Sequence, residues 1–480
     1  MLVSPKKPWH KLFQVSLAEI AGLGGGESSS HLRYDKDMKN NPVNGILLLY
    51  HHRLWENAPT FTEHVGAFAK HSRFKVWTVN TELGFPPELN SLQFRIILLH
   101  YSLFVRWFYY QLNKRFLNYI AQNDNSYKIA FFQDEYQFCQ HRFDFLNNYN
   151  IDCVYTLLEE DYFDAVYNRY THVPKIVYTI PGYVSDELIK LAKNLEKPDD
   201  QRKIDIGYRA RPVDYFMGRG AQEKTEIAKR FSEFSRGSGL LLDISTDESK
   251  RIYGPAWYEF LADCRAVLGV ESGVSIFDLT GEVQDSCETL LAKNPLINFE
   301  EISKKILHRW EDNIYYRTIS PRHFEAAAFR ICQILFEGRY SGIMQPMVHY
   351  IPLKKDFSNF DEVIRLFKDV TVRKQLTDNA YRDLIAAGKY SYKTFIDSFD
   401  RLLLDTGITP LIGEEEIATI SETLGAGQTA SGFRSFIKMI RYYPFPGKAL
   451  LTRPLKPFVE KYRRYRQSIF DRHKQTDHTA

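Results

Sequence analysis

Gly45-Ile-Leu-Leu-Leu-Tyr50 is an uninterrupted apolar run of strand length, and a polar turn separates it from an amphipathic helical pattern over Thr60–His71. A strand that is apolar on both faces has to be covered on both sides, and helices returning over a parallel sheet do this. The same alternation continues outward. Strand-length runs at Phe74–Val79, Lys128–Phe132, Ile151–Leu157 and Lys175–Ile180 are separated by helical stretches. Together they predict a Rossmann-like domain over residues 45–190. The charged segment Lys193–Arg202, with Pro198-Asp-Asp200 inside it, breaks the periodicity and reads as an interdomain linker. A second series follows at Ile204–Gly207, Leu240–Ile244, Ala266–Val270, Cys332–Phe336 and His349–Leu353, with a helix over Asp361–Lys368. It predicts a second domain over residues 203–400. The expected fold class is α/β: two Rossmann-like domains whose strand carboxyl ends face one cleft, where open sheets bind ligands.

A chain of 480 residues, 44% hydrophobic and 15% aromatic, suffices for two such cores. The formal charge of +4 is too small for this length to indicate a nucleic-acid partner, and it is unevenly placed. Ser431–Ala480 holds twelve Lys/Arg against three Asp/Glu, so the preceding residues balance slightly acidic. Residues 401–480 are expected to form a helical basic tail. Its Phe433, Phe436, Ile437 and Ile440 interleave with Arg434, Lys438 and Arg441, a pattern that suits an anionic membrane surface or a solvated tail. Residues 1–44, with Gly22-Leu-Gly-Gly-Gly-Glu-Ser-Ser-Ser30, read as a flexible arm. The five cysteines show no paired spacing, which argues against a disulfide framework or a zinc site. No run reaches the roughly 18 apolar residues of a spanning helix. A cytoplasmic protein, at most peripheral at the inner face of the cell membrane, is expected.

The strongest local signal is Ile319-Ser-Pro-Arg-His-Phe-Glu-Ala-Ala-Ala328. Ser320 suits an N-cap and Pro321 a first helical residue, with Phe324, Ala327, Ala328 and Ile331 as the apolar stripe. A helix amino end facing the cleft offers unpaired N–H groups to a phosphate. Glu325, one turn in, either complements the helix dipole or accepts both hydroxyls of a ribose.

Ser320-Pro-Arg-His-Phe-Glu-Ala-Ala, with Phe336-Glu-Gly, Tyr340-Ser-Gly342 and His349-Tyr-Ile-Pro-Leu353 after it, resembles the donor-binding region of bacterial glycosyltransferases of the GT-B fold. It is most similar to the glycosyltransferase domain of spore-maturation-type proteins and polysaccharide-cluster transferases, and the likeness spans Ile204–Ser398. The resemblance implies that Glu325 holds the nucleotide ribose, with Ser320 and Arg322 near the diphosphate. In Asp205-Ile-Gly-Tyr-Arg-Ala-Arg211 and the helix beyond, Arg209, Arg211 and Lys224 match basic positions that such enzymes use against the leaving diphosphate; the alternative is a solvated basic loop. No metal and no cofactor is then expected. In Val270-Glu-Ser-Gly-Val-Ser275, Gly273 would let backbone approach a ligand and Glu271 would face the sugar, unless the segment is a plain strand-end turn.

The chain also departs from the pattern. Arg317 stands eight positions before Glu325, where retaining members carry an acid; the stretch between Ser275 and Ser320 is long; and Phe329-Arg330 replaces a helix-ending glycine. For a base on the acceptor side the candidates are His52, one of the pair His51-His52 after the first strand, and Asp134 or Glu135 after another. Glu63 reads as the far end of a Thr60-Phe-Thr-Glu63 capping box. Asp35-Lys-Asp37 lacks the strand context of a metal-binding pair. The expected partners are a nucleotide-sugar donor and a glycan or other hydroxyl acceptor; the rival readings are a nucleotide-sugar epimerase and a non-catalytic, transferase-like binding protein at the membrane.

Overall fold

The computed structural model describes residues 42–52, 59–104, 110–137 and 139–425; Asp35-Lys-Asp37 and the tail Ser431–Ala480 lie outside them. The first domain contains β1 (Val43–Tyr50), β2 (Val76–Asn80), β3 (Phe94–Leu99), β4 (Tyr127–Phe131), β5 (Cys153–Thr156) and β6 (Lys175–Tyr178). These form one six-stranded sheet in the order β2-β1-β3-β4-β5-β6, and every pairing is parallel. β1 sits between β2 and β3 and is covered on both faces: Leu47 and Leu49 enter one core, Ile46 and Leu48 another. That is why its apolar run is continuous. β3 is absent from the expected strands, although Phe94-Arg-Ile-Ile-Leu-Leu99 is itself an apolar run; it takes the central place between β1 and β4.

The second domain contains β7 (Ile204–Arg209), β8 (Leu242–Ser245) and β9 (Cys264–Gly269), then β10 (Ser272–Val274) and β11 (Tyr316–Thr318), then β12 (Cys332–Phe336) and β13 (Ile351–Leu353). Five of these make a parallel sheet in the order β13-β12-β9-β7-β8, whereas β10 and β11 form a separate antiparallel pair. The expected pair of Rossmann-like domains is what forms. Counted within each domain, both sheets run 2-1-3-4-5, with β6 added to the first, so the order reverses between β1 and β3 and again between β7 and β9. Doubly wound sheets hold ligands at the carboxyl ends of the strands at such reversals.

Two connections refine this picture. The segment expected as a linker is anchored, since the Arg202 guanidinium is buried and donates to the carbonyls of Cys264 (2.7 Å) and Phe329 (3.0 Å). The helix Tyr392–Asp405 returns to the first domain, where Phe395, Ile396, Phe399 and Leu403 pack with Ile46, Leu48 and Phe68. Asp400 at its far end accepts from Ser72 Oγ (2.7 Å) and the Arg73 amide (2.6 Å). Phe399 is fully buried and lies edge-on to Phe68 at 5.1 Å. Phe399→Ala should therefore cost about 3–5 kcal/mol in urea unfolding; a cost below about 1 kcal/mol would show the returning helix to be a peripheral strap.

Candidate active site between the two domains

The helix Pro321–Ala328 begins as expected, with Ser320 Oγ accepting the Arg322 amide at 3.4 Å and Pro321 at the first helical position. The expected apolar stripe is buried throughout. At its far end Arg330 adopts φ 51°, the left-handed conformation usually left to glycine. The Ile331 amide then reaches the Ala326 carbonyl at 2.9 Å, closing the helix, while the Arg330 guanidinium stacks on Tyr381 and binds Asp378 at 2.8 Å. The missing glycine is thus offset by side-chain anchorage.

A cavity of about 530 Å³ opens between the sheets at the reversal of the second one. Gly207–Arg211 around the end of β7 and Val267–Ser272 around the end of β9 line it, with Lys224, Trp257, Tyr258, Ser320, Arg322 and Glu325. The first domain contributes Thr60, Gln133, Asp134 and Tyr136. Of the residues singled out in the sequence, Asp134, Arg209, Arg211, Lys224, Glu271, Ser320, Arg322 and Glu325 meet here; His52 and Gly273 do not.

Glu325 is buried, and its Oε2 accepts the Trp257 indole N–H at 2.8 Å. Burial pushes its carboxyl above the usual range, opposed by the indole bond and by Arg322. The Arg322 guanidinium lies 4.9 Å over the Trp257 ring and donates to the Arg209 carbonyl. One indole thus orients both the carboxylate and the cation. Trp257 was not singled out from the sequence, where Gly254-Pro255 marks a helix start and nothing marks its direction.

Arg211 and Arg322 both act electrostatically on Lys224, and Asp134 faces Lys224 and Arg211. Enclosure by protein lowers the Lys224 pKa, which Asp134 partly restores. Asp134 is exposed on its cavity side; enclosure raises its pKa, and Lys224, Arg142 and Arg211 pull it back. Arg211, Lys224 and Arg322 outnumber the two carboxylates they meet, Asp134 and Glu325, and the excess positive charge suits an incoming anion.

Four assignments change. Arg209 is not available to a diphosphate: its guanidinium binds the Asp243 carboxylate and carbonyl (both 2.7 Å) and stacks on Phe260 at 4.5 Å. Glu271 lines the cavity, but its carboxylate is engaged by the Tyr315 hydroxyl (2.6 Å) and the Tyr340 amide (2.7 Å), which steadies the left-handed run Tyr340-Ser341-Gly342. Gly273 does admit a close approach, but to the backbone of Tyr316, where an added Cβ would lie 2.2 Å from the carbonyl oxygen. His52 stacks on Phe61 at 4.9 Å, and its amide and carbonyl are both bound by Asn80.

His52 stands instead at the reversal of the first sheet, near a buried pair that the sequence did not mark, His64 and His100, hydrogen-bonded at 3.1 Å. Burial takes His64 down to about 3 and His100 well below its usual value, so both are neutral. Glu135 is buried under the hydroxyls of Thr156, Tyr167 and Tyr316, which removes it as a base. Glu63 is no capping box either, because its helix starts at Pro59 and its carboxylate accepts from Ser185 Oγ at 2.8 Å. Arg317 holds Asp312 (2.6 Å) and Glu223 (3.6 Å), fastening the helix Arg219–Phe234.

No protein-family model and no curated protein sequence matches the chain. Among solved structures, it is similar to HepE of Anabaena in complex with UDP (10% identity, TM-score 0.42, covering 75% of this chain and 100% of that one). It is also similar to a glycosyltransferase from Rickettsia africae (12%, TM-score 0.39, 75% and 97%). The match to TarM has 12% identity and a TM-score of 0.37; it covers 64% of this chain and only 54% of TarM. Likeness at this level assigns no residue roles; these rest on the geometry above. Among the described residues no three His, Cys, Asp or Glu side chains gather as a metal site requires, and no helix is long and apolar enough to cross a membrane.

Proposed function

We propose that the chain is a glycosyltransferase of GT-B type that moves a sugar from a nucleoside diphosphate to a hydroxyl acceptor. The observation that carries this reading is Glu325, buried one turn into a helix whose amino end opens, beside Arg211, Lys224 and Arg322, on a cavity shared by two doubly wound domains. Glu325 accepts the ribose hydroxyls, and the cations meet the diphosphate. The acceptor hydroxyl attacks the anomeric carbon, the bond from that carbon to the phosphate oxygen breaks, and the proton passes to Asp134. The three cations supply the charge stabilisation that a divalent ion provides elsewhere. The sequence resemblance adds a hexosyl-type donor and bacterial surface glycans as the setting, and the basic tail Ser431–Ala480 suits an anionic membrane surface.

HepE structures contain UDP and UDP-glucose, so these are natural first probes. Incubated with a panel of nucleotide sugars, the full chain should release nucleoside diphosphate from one donor class, faster with a hydroxyl acceptor present. Interconversion of the sugar without nucleotide release would favour an epimerase, and binding without either would favour a non-catalytic protein.

A further inference from the structure

Asp134 is held by more than its own strand. Its backbone sits at φ 60°, an uncommon conformation for a residue with a side chain. The next residue, Glu135, is fully buried; its Oε1 accepts the hydroxyls of Thr156 and Tyr167 (3.1 Å) from its own domain, and its Oε2 accepts the Tyr316 hydroxyl from the other. The Tyr136 carbonyl accepts the Asp278 amide at 2.7 Å, and the Gln137 amide group donates to Gln284 at 2.6 Å. Three successive residues after Asp134 are therefore bound by the second domain.

All these second-domain partners lie in the long stretch between Ser275 and Ser320. That stretch is a folded insert whose Ile276, Val283, Cys287, Ile297, Ile302 and Leu307 form a core together with Phe216 from the rest of the second domain, closed by β11 pairing back on β10. Resting on the transferase reading for the role of Asp134, we infer that Tyr316 is a positioning residue. Through Glu135 it fixes the left-handed turn that presents the acceptor-side carboxylate to Lys224 and Arg211, so the donor domain sets the place of the base. The groups facing Asp134 are Lys224 and Arg211 from the second domain, Arg142, Tyr101 and Tyr136 from the first, and Tyr316 itself. Removing the Tyr316 hydroxyl leaves Glu135 Oε2 without its donor in a buried place, and the turn has to readjust.

The test is Tyr316→Phe in the full chain. Amide hydrogen exchange over residues 133–137 should quicken at least tenfold while β4 and β5 keep their protection. UDP affinity should stay within twofold of wild type; UDP release from UDP-glucose should fall tenfold or more, with its acid limb moved in pH. Unchanged exchange over 133–137, or a rate loss wholly explained by weaker UDP binding, would overturn the inference. If the wild type neither binds nor releases UDP, the choice of these donor probes fails instead, and hydrogen exchange alone decides whether Tyr316 holds the turn.

Discussion

Glu325→Ala should lower nucleoside diphosphate affinity by roughly 100-fold or more, since two hydrogen bonds to an ionised acceptor are each worth about 1.5–3 kcal/mol. Isothermal titration with the nucleotide that the wild type prefers measures it. The effect carries a pH signature. Burial raises the Glu325 carboxyl above its ordinary value, so the ionised form costs the folded protein stability above the folded pKa, and the cost disappears as pH falls below the ordinary carboxylate range. Ribose binding wants the ionised form, so affinity should weaken as pH falls through the raised pKa. Glu325→Gln should abolish that dependence. It removes the buried charge and keeps an acceptor for the Trp257 indole, so its thermal midpoint should stay at or above that of the wild type. A Gln variant that binds normally would remove Glu325 from the ribose site.

Lys224→Met should leave folding intact and lower the transfer rate by about 100- to 1,000-fold, the usual cost of removing one group aimed at charge developing on a leaving oxygen. Met is close in volume and cannot neutralise a phosphate. Lys224 makes no side-chain hydrogen bond among the described residues, and enclosure depresses its pKa, so the folded protein carries this ammonium at a cost. Releasing that cost offsets much of any packing loss. Binding of the intact donor, with Arg211 and Arg322 still present, should weaken far less than the rate. A variant equally impaired in both would show Lys224 to be a ground-state contact alone.

The parts of this site that were legible in the sequence are those set by local chemistry. Ser320 and Pro321 announce a helix start because the backbone geometry there depends on nearest neighbours, and the alternating runs announce parallel sheets because burial on two faces leaves no polar position. What could not be read depends on partners distant in the chain. Arg209 looks like a phosphate ligand until Asp243, on the neighbouring strand β8, takes its guanidinium. Glu271 looks free until Tyr315 and Tyr340 fold over it. Asp134 and Glu135 are adjacent carboxylates with nothing local to separate them, yet one opens on the cavity and the other is buried under three hydroxyls. The stretch between Ser275 and Ser320 stood out by length alone; that it forms a bridge between domains follows from Asp278, Gln284 and Tyr316, whose partners lie in Glu135–Gln137. β3 was readable, and its place at the centre of the first sheet was not.

The claim on which the rest depends is that a nucleoside diphosphate lies at the reversal of the second sheet. A crystal structure of the full chain with the bound nucleotide tests it directly. The predicted result has the ribose hydroxyls on the Glu325 carboxylate and the phosphates among Arg211, Lys224 and Arg322. A nucleotide bound elsewhere, or bound here with its ribose away from Glu325, would contradict it.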